Sequence, residues 1–187
     1  MTTTATTTTA TSPTLPLTAG SWSLDDAHTR IAFMVRRLGF SKTRGHFTDV
    51  SAEIDVGSTL DESAVTVHVA MDSIDTGHHD RDNHLRSAEL LDVARRPSMD
   101  YRSTAIRPVG GAWALDGELT IGEITRPLTL DVEFGGVAEF FDGTRHASFE
   151  ATGEISRKEF GLGFGPLGAM LGDTVKLELD VELVEPS

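Results

Sequence analysis

A chain of 187 residues is long enough for one domain with a packed core, and its apolar segments are spread too evenly to divide it in two. It contains no cysteine, which excludes disulfides, thiolate nucleophiles, iron-sulfur clusters and Cys-based zinc sites. Lys and Arg number 16 against 29 Asp and Glu; this formal charge of -13 repels nucleic acid and anionic membrane surfaces unless basic residues are concentrated on one patch, and no basic run is apparent.

Residues 1–20 carry no charged side chain and half of them are threonine, which predicts a disordered tail ahead of a single domain spanning 21–187. That stretch lacks the basic start and apolar core of a secretory signal, so the expected compartment is the cytoplasm. From Trp22 onward the apolar residues alternate with period two, the mark of strands with one buried face. Ile31, Phe33 and Val35 share a face, followed by Val50, Ala52, Ile54 and Val56, then Val65, Val67, Val69 and Met71. The stretch "DNHLRSAELLDVARR" is predicted as a helix capped at Asp82 or Asn83 and stopping before Pro97, with Leu85, Ala88 and Leu91 on its packing face. "WALDGELTI" reads as two strand pieces around an Asp-Gly turn at Asp116 and Gly117. Alternation resumes at Leu128, Leu130, Val132 and Phe134, at Ala147, Phe149 and Ala151, and from Val175 to Leu183. Glycines and a proline break "FGLGFGPLGAMLG", the longest weakly polar stretch, so no segment is expected to span a bilayer. The pattern is all-β and antiparallel; periodicity leaves a barrel and a sandwich both open.

An ordered series of segments runs over Ser21 to Glu185: "WSLDDAHTRIAFMVRRLGFSKTRGHF", "DSIDTG" with "RDNHLRS", "DGELTIGEITRPLTL", "EISRKEFGL" and "GDTVKLELDVEL". In this series the chain resembles the YceI-like family of lipocalin-like, polyisoprenoid-binding proteins. The resemblance implies an eight-stranded antiparallel β-barrel with one or two short helices. It also implies an apolar interior that sheathes an isoprenoid tail, such as that of a quinone or a prenyl phosphate, and no cofactor. Relatives are often dimeric, so a homodimer stands beside the monomer as an expectation. The chain departs from the family pattern at Arg37, where relatives usually carry histidine, and at Leu90 and Leu91, where they favour aromatic residues.

The residues give no recognised catalytic setting, since G-x-S-x-G, H-E-x-x-H, the dinucleotide fingerprint and the P-loop are all absent. Phe33, Val35, Val67, Val69, Leu130, Phe134 and Phe149, on the apolar faces of their strands, are the candidate lining of a lipid channel. Three of seven histidines fall in "DSIDTGHHDRDNHLRS". His78, His79 and His84 are of a ligand type that suits a transition metal, which leaves a metal-dependent enzyme as one alternative function and a barrel with a filled core as another. Adjacent His78 and His79 point apart on regular backbone, however, and no metal is assigned. The same stretch is read as a loop lock, with His84 and Arg86 as candidate headgroup contacts together with His28 of the opening Asp-x-x-His. His46, His68 and His146 read as isolated.

Overall fold

The computed structural model describes residues 15–187. Residues 1–14 of the predicted tail lie outside the described residues. In the remainder of that stretch, Leu15 and Leu17 pack against the cluster of Trp22, Ile54, Val56, Ala147 and Leu183, and the Trp22 indole donates to the Thr18 carbonyl at 2.9 Å.

The sheet contains β1 (Gly20–Leu24), β2 (Arg30–Arg37), β3 (Ser41–Phe47), β4 (Val50–Val56), β5 (Ala64–Ala70), β6 (Ile74–Asp75), β7 (Ser98–Val109), β8 (Ala112–Ile121), β9 (Ile124–Glu139), β10 (Arg145–Ser156) and β11 (Leu171–Val184). Three barrel positions are each shared by two consecutive strands. β1 and β2 both lie antiparallel to β11, β3 and β4 pair with β2 and β1 respectively, and β5 and β6 pair with β4 and β3. With β7 to β11 the ring contains eight positions and closes through β1 and β11, so the predicted eight-stranded antiparallel barrel is the fold. Closure leaves few unpaired backbone groups and gives alternate side chains a common interior.

The ring has one seam. β5 pairs with β7, but β6 is only two residues long and pairs with β3, and the chain then leaves the sheet until Ser98. Helix α1 (His79–Arg86) fills this interval. The predicted helix over 82–96 is therefore corrected. α1 starts earlier, its first flanking residue is His78, and it ends at Arg86 with Ser87 as the residue that follows, after which turns lead to Asp92 in a left-handed conformation at φ 49°. Asp82 does not cap it. Its carboxylate accepts bonds from the Thr76 N–H and hydroxyl, an arrangement that ties the preceding loop to the helix rather than satisfying the helix's own first N–H groups.

The predicted Asp-Gly turn is also corrected, because β8 passes straight through Asp116 and Gly117. Gly117 lies under the Tyr101 ring, where a Cβ would fall 2.4 Å from the phenol oxygen. That oxygen donates to the Leu115 carbonyl at 2.9 Å. Glycine here provides room for a neighbouring ring, not a turn.

Candidate functional site

Helix α1 and the segment before β11 frame one end of the barrel. Arg81, His84 and Leu85 recur at i, i+3 and i+4 on α1, so all three face the same opening. Arg86 lies off that face. Its guanidinium donates to the Asp72 and Ile74 carbonyls at 2.6 and 2.7 Å and to Asn83, clamping α1 onto the chain before it. The opposite wall is held by Arg157, which is 2% exposed. All five of its N–H donors are directed to carbonyls: those of Gly172, Leu162, Gly163, Gly168 and Leu171, at 2.6 to 3.1 Å. The Phe164 ring lies 5.2 Å beneath its guanidinium carbon. One buried cation thereby organises the glycine-rich turn that frequent glycines would otherwise leave loose.

Behind this opening lies a cavity of 310 Å³ lined by Phe33, Val35, Phe47, Met71, Leu91, Ile121 and Leu177, among others. Its ionisable lining groups are Arg37, Arg81, Arg157 and His84, with no carboxylate. Met99 and Leu177 also line a central space of 60 Å³, which shares Ile31, Val67, Tyr101, Leu130 and Leu179 with a third cavity of 150 Å³. The third reaches the far end, where Leu15, Leu17 and Leu24 complete its wall. The interior thus holds three apolar spaces whose walls share residues from one end of the barrel to the other. Tyr101, in its midst, has its pKa pushed up by burial, so it contributes a neutral hydroxyl already engaged with Leu115.

Most of the lining predicted from alternation faces these spaces. Phe33 and Val35 line the mouth cavity; Val67 and Leu130 line the central and far spaces, Val69 the central one and Phe149 the far one. Phe134 lines none of the three and instead packs on Phe149 and Trp113, with ring centroids 5.3 and 5.9 Å away. Of the predicted headgroup contacts only His84 lines the mouth, with its Nε2 2.9 Å from Glu89. Arg86 is consumed by the clamp, and His28 sits at the opposite end of the barrel bonded to Asp25 at 2.9 Å. Arg37 and Arg81 occupy the mouth instead, Arg81 with its Nε donating to the Thr76 hydroxyl at 2.6 Å and its Nη2 to the Thr76 carbonyl at 2.8 Å, so that it brings charge to the opening with part of its donor set already used. Helical spacing from His84 would have found Arg81, and Arg37 follows Phe33 and Val35 on the inward face of β2. Arg157 gave no such signal, because "SRKEF" reads as an exposed charged turn.

The histidines at 78 and 79 are exposed, and His79 comes no closer than 3.5 Å to Asp80. His146, read as isolated, is part of a network: its Nδ1 is 2.7 Å from Glu182 and 3.5 Å from Asp25, and the Phe140 ring stacks on it at 4.0 Å. Among the described residues Asp25, His146 and Glu182 are the group whose donor atoms converge within 4.8 Å. The His28 hydrogen bond, above the smaller opposing effect of burial, holds the Asp25 carboxyl below its ordinary range, and Asp25 in turn raises His28. His68 is likewise partnered, by Asp100 at 2.6 Å.

The YceI-like domain family model matches residues 22–183. A UPF0312 protein of Serratia proteamaculans is 38% identical over 140 residues, covering 72% of this chain and 71% of the relative. Protein YceI of Salmonella arizonae is 36% identical over the same coverage. Among solved structures, the Campylobacter jejuni YCEI protein superposes with a TM-score of 0.71 at 28% identity, covering 81% of this chain and 90% of that one. A Saccharophagus degradans domain described as a polyisoprenoid binding domain implicated in plant cell wall breakdown has a TM-score of 0.64 at 16% identity, covering 88% and 98%; at that identity the likeness concerns the fold.

Proposed function

This chain belongs to the YceI-like family, and on that premise we propose that it is a non-enzymatic binding protein that draws a long isoprenoid chain into its barrel. The observation that carries this reading is the series of apolar spaces sharing walls from the α1 mouth to the far end. Burial of a fifteen-carbon chain contributes on the order of 10 kcal/mol at roughly 0.8 kcal/mol per methylene, comparable to the cost of association and ordering, so that longer chains and headgroup contacts add net affinity. The mouth favours an anionic headgroup, a prenyl phosphate over a quinone. Arg37 brings a guanidinium to it, Arg81 and Arg157 add positive charge although their donors are partly or wholly engaged within the protein, and no carboxylate lines it, in a chain whose formal charge is -13.

Native mass spectrometry of protein purified without detergent, followed by solvent extraction, tests the reading. A stoichiometric prenyl lipid is expected. Delipidated protein that stays folded yet takes up no prenyl phosphate overturns it. Selective retention of an uncharged quinone would keep the channel and overturn the headgroup assignment. Arg37→Gln is expected to weaken binding of a prenyl phosphate roughly tenfold, about the net contribution of one charge-assisted hydrogen bond, and to leave the matching prenyl alcohol unchanged.

A further inference from the structure

Between Ala27 and Thr48 the chain has no Asp or Glu, while Arg30, Arg36, Arg37, Lys42 and Arg44 all fall in that interval. They form no continuous run in the sequence, and strand register gathers them. The hairpin of β2 and β3 sets Arg36 directly opposite Lys42 and places Arg44 one pair further along that face, opposite Met34. Like charges directly opposite one another destabilise an antiparallel pair. Among the described residues no carboxylate forms an ion pair with these cations. On its other side β2 meets β11, which sets Asp180 opposite Arg30 and Glu178 opposite Ala32 but Lys176 opposite Met34, so the positive face is confined to the tip half of the hairpin, around Arg36, Lys42 and Arg44.

The tip of this hairpin is apolar and exposed. Phe40 is 78% and Leu38 54% accessible. Leu38 and Gly39 adopt positive φ of 52° and 77°, a turn that projects both flanking side chains, and the Leu38 N–H donates to the Met170 carbonyl at 2.8 Å. That bond brings the exposed Met170 and Leu167 alongside, and both line the mouth cavity. The apolar tip therefore sits at the rim where the basic outer face of the hairpin meets the mouth cavity.

We propose that this surface docks on an anionic lipid bilayer, with Phe40 and Leu38 entering the headgroup layer and Arg36, Lys42 and Arg44 facing lipid phosphates. Such a pose sets the mouth against the source of a lipid chain, while the acidic remainder of the barrel is repelled from the surface and fixes the orientation. A second copy of the chain fits less well. A two-fold interface would press the same patch against itself and bring the unneutralised cations together. Docking rests on the reading of the interior as a lipid channel.

The test is co-sedimentation of the full chain with phosphatidylcholine vesicles that either contain or lack phosphatidylglycerol. Binding to the anionic vesicles alone is expected, weakening as salt is raised. The double variant Arg36→Gln, Lys42→Gln is expected to lower partitioning up to about thirtyfold, and Phe40→Ser about tenfold. Both alter exposed side chains, and unchanged thermal unfolding checks that they fold. Wild-type protein that stays in the supernatant, or variants that sediment like wild type, overturn the proposal. So does Phe40→Ser turning a dimer into a monomer without any vesicle binding, which would give the face to a second copy. Uptake of prenyl phosphate from cyclodextrin, with no vesicle present, is measured in parallel. Its failure bears on the channel, and failed sedimentation with normal uptake bears on docking alone.

Discussion

Asp82 shows how one side chain turns a charged-looking stretch into a lock. It is buried although flanked by exposed neighbours, and burial acts to raise its pKa; the Thr76 bonds, Arg86 and Arg81 outweigh that and hold it below its ordinary value. Asp82→Ala is expected to cost about 1–3 kcal/mol, since Thr76 would be left with unsatisfied donors, and a urea midpoint measures it. Arg86→Ala is expected to lower stability and to reduce binding of charged and uncharged prenyl ligands alike, because its donors are engaged with Asp72 and Ile74 rather than with the mouth. Asp116 is a contrasting surface case. The Arg107 hydrogen bond, then that from Thr129, lowers its pKa from 3.8 to about 2. A depressed carboxylate contributes stability that is present above its unfolded value and disappears as pH falls through the folded one. The stability difference between wild type and Asp116→Asn is therefore expected at neutral pH and should vanish as pH falls from about 4 towards 2, followed by chemical denaturation across that range.

At the scale of elements, alternation was a sufficient guide wherever a strand had one wet face, and it failed where a local signal had two meanings. Asp-Gly between alternating residues is a hairpin signal, yet β8 continues through it because Tyr101 needs the space above Gly117. Gly117→Ala is expected to destabilise the barrel by about 1–3 kcal/mol through overpacking, and combining it with Tyr101→Phe should recover little of that, because the ring as well as the hydroxyl lies within reach of the new methyl group. Thermal unfolding of the single and double variants checks this. The helix was displaced for a related reason. Leu85, Ala88 and Leu91 have helical spacing, but Ser87 ends α1 and Leu91 is buried from a turn instead. An apolar spacing of three and six is met equally by a helix and by a turn that folds back on the same core. The residues proposed to meet a headgroup were partly legible, since His84 gives Arg81 by helical spacing, whereas Arg86 carried the same chemistry on a face turned away from the mouth.

For the whole molecule the length of the proposed channel is the property with consequences. Val67 lies on the wall common to the central and far spaces. Val67→Phe is expected to divide the channel there, leaving short prenyl chains bound from the mouth and excluding long ones, which native mass spectrometry against a chain-length series would read out. Retention of long chains would mean that they do not pass that point. The strand faces, and through them Phe33, Val35, Val67, Val69, Leu130 and Phe149 as interior residues, were determined by the sequence itself, because a period of two leaves each side chain only two directions. The ordered family segments likewise carried the eight-stranded barrel. Only the tertiary structure decided where charge and space lie. Arg157 is buried because five carbonyls of the turn that follows it surround it, His146 gains Asp25 from the turn after β1 and Glu182 from β11, and the cations of β2 and β3 share a face because the hairpin register sets Arg36 opposite Lys42. The physical reason is that burial of an apolar face is a local periodic property, whereas the environment of a charge or the existence of a void depends on how the backbone folds back, within a turn as at Arg157 or between remote segments as at His146.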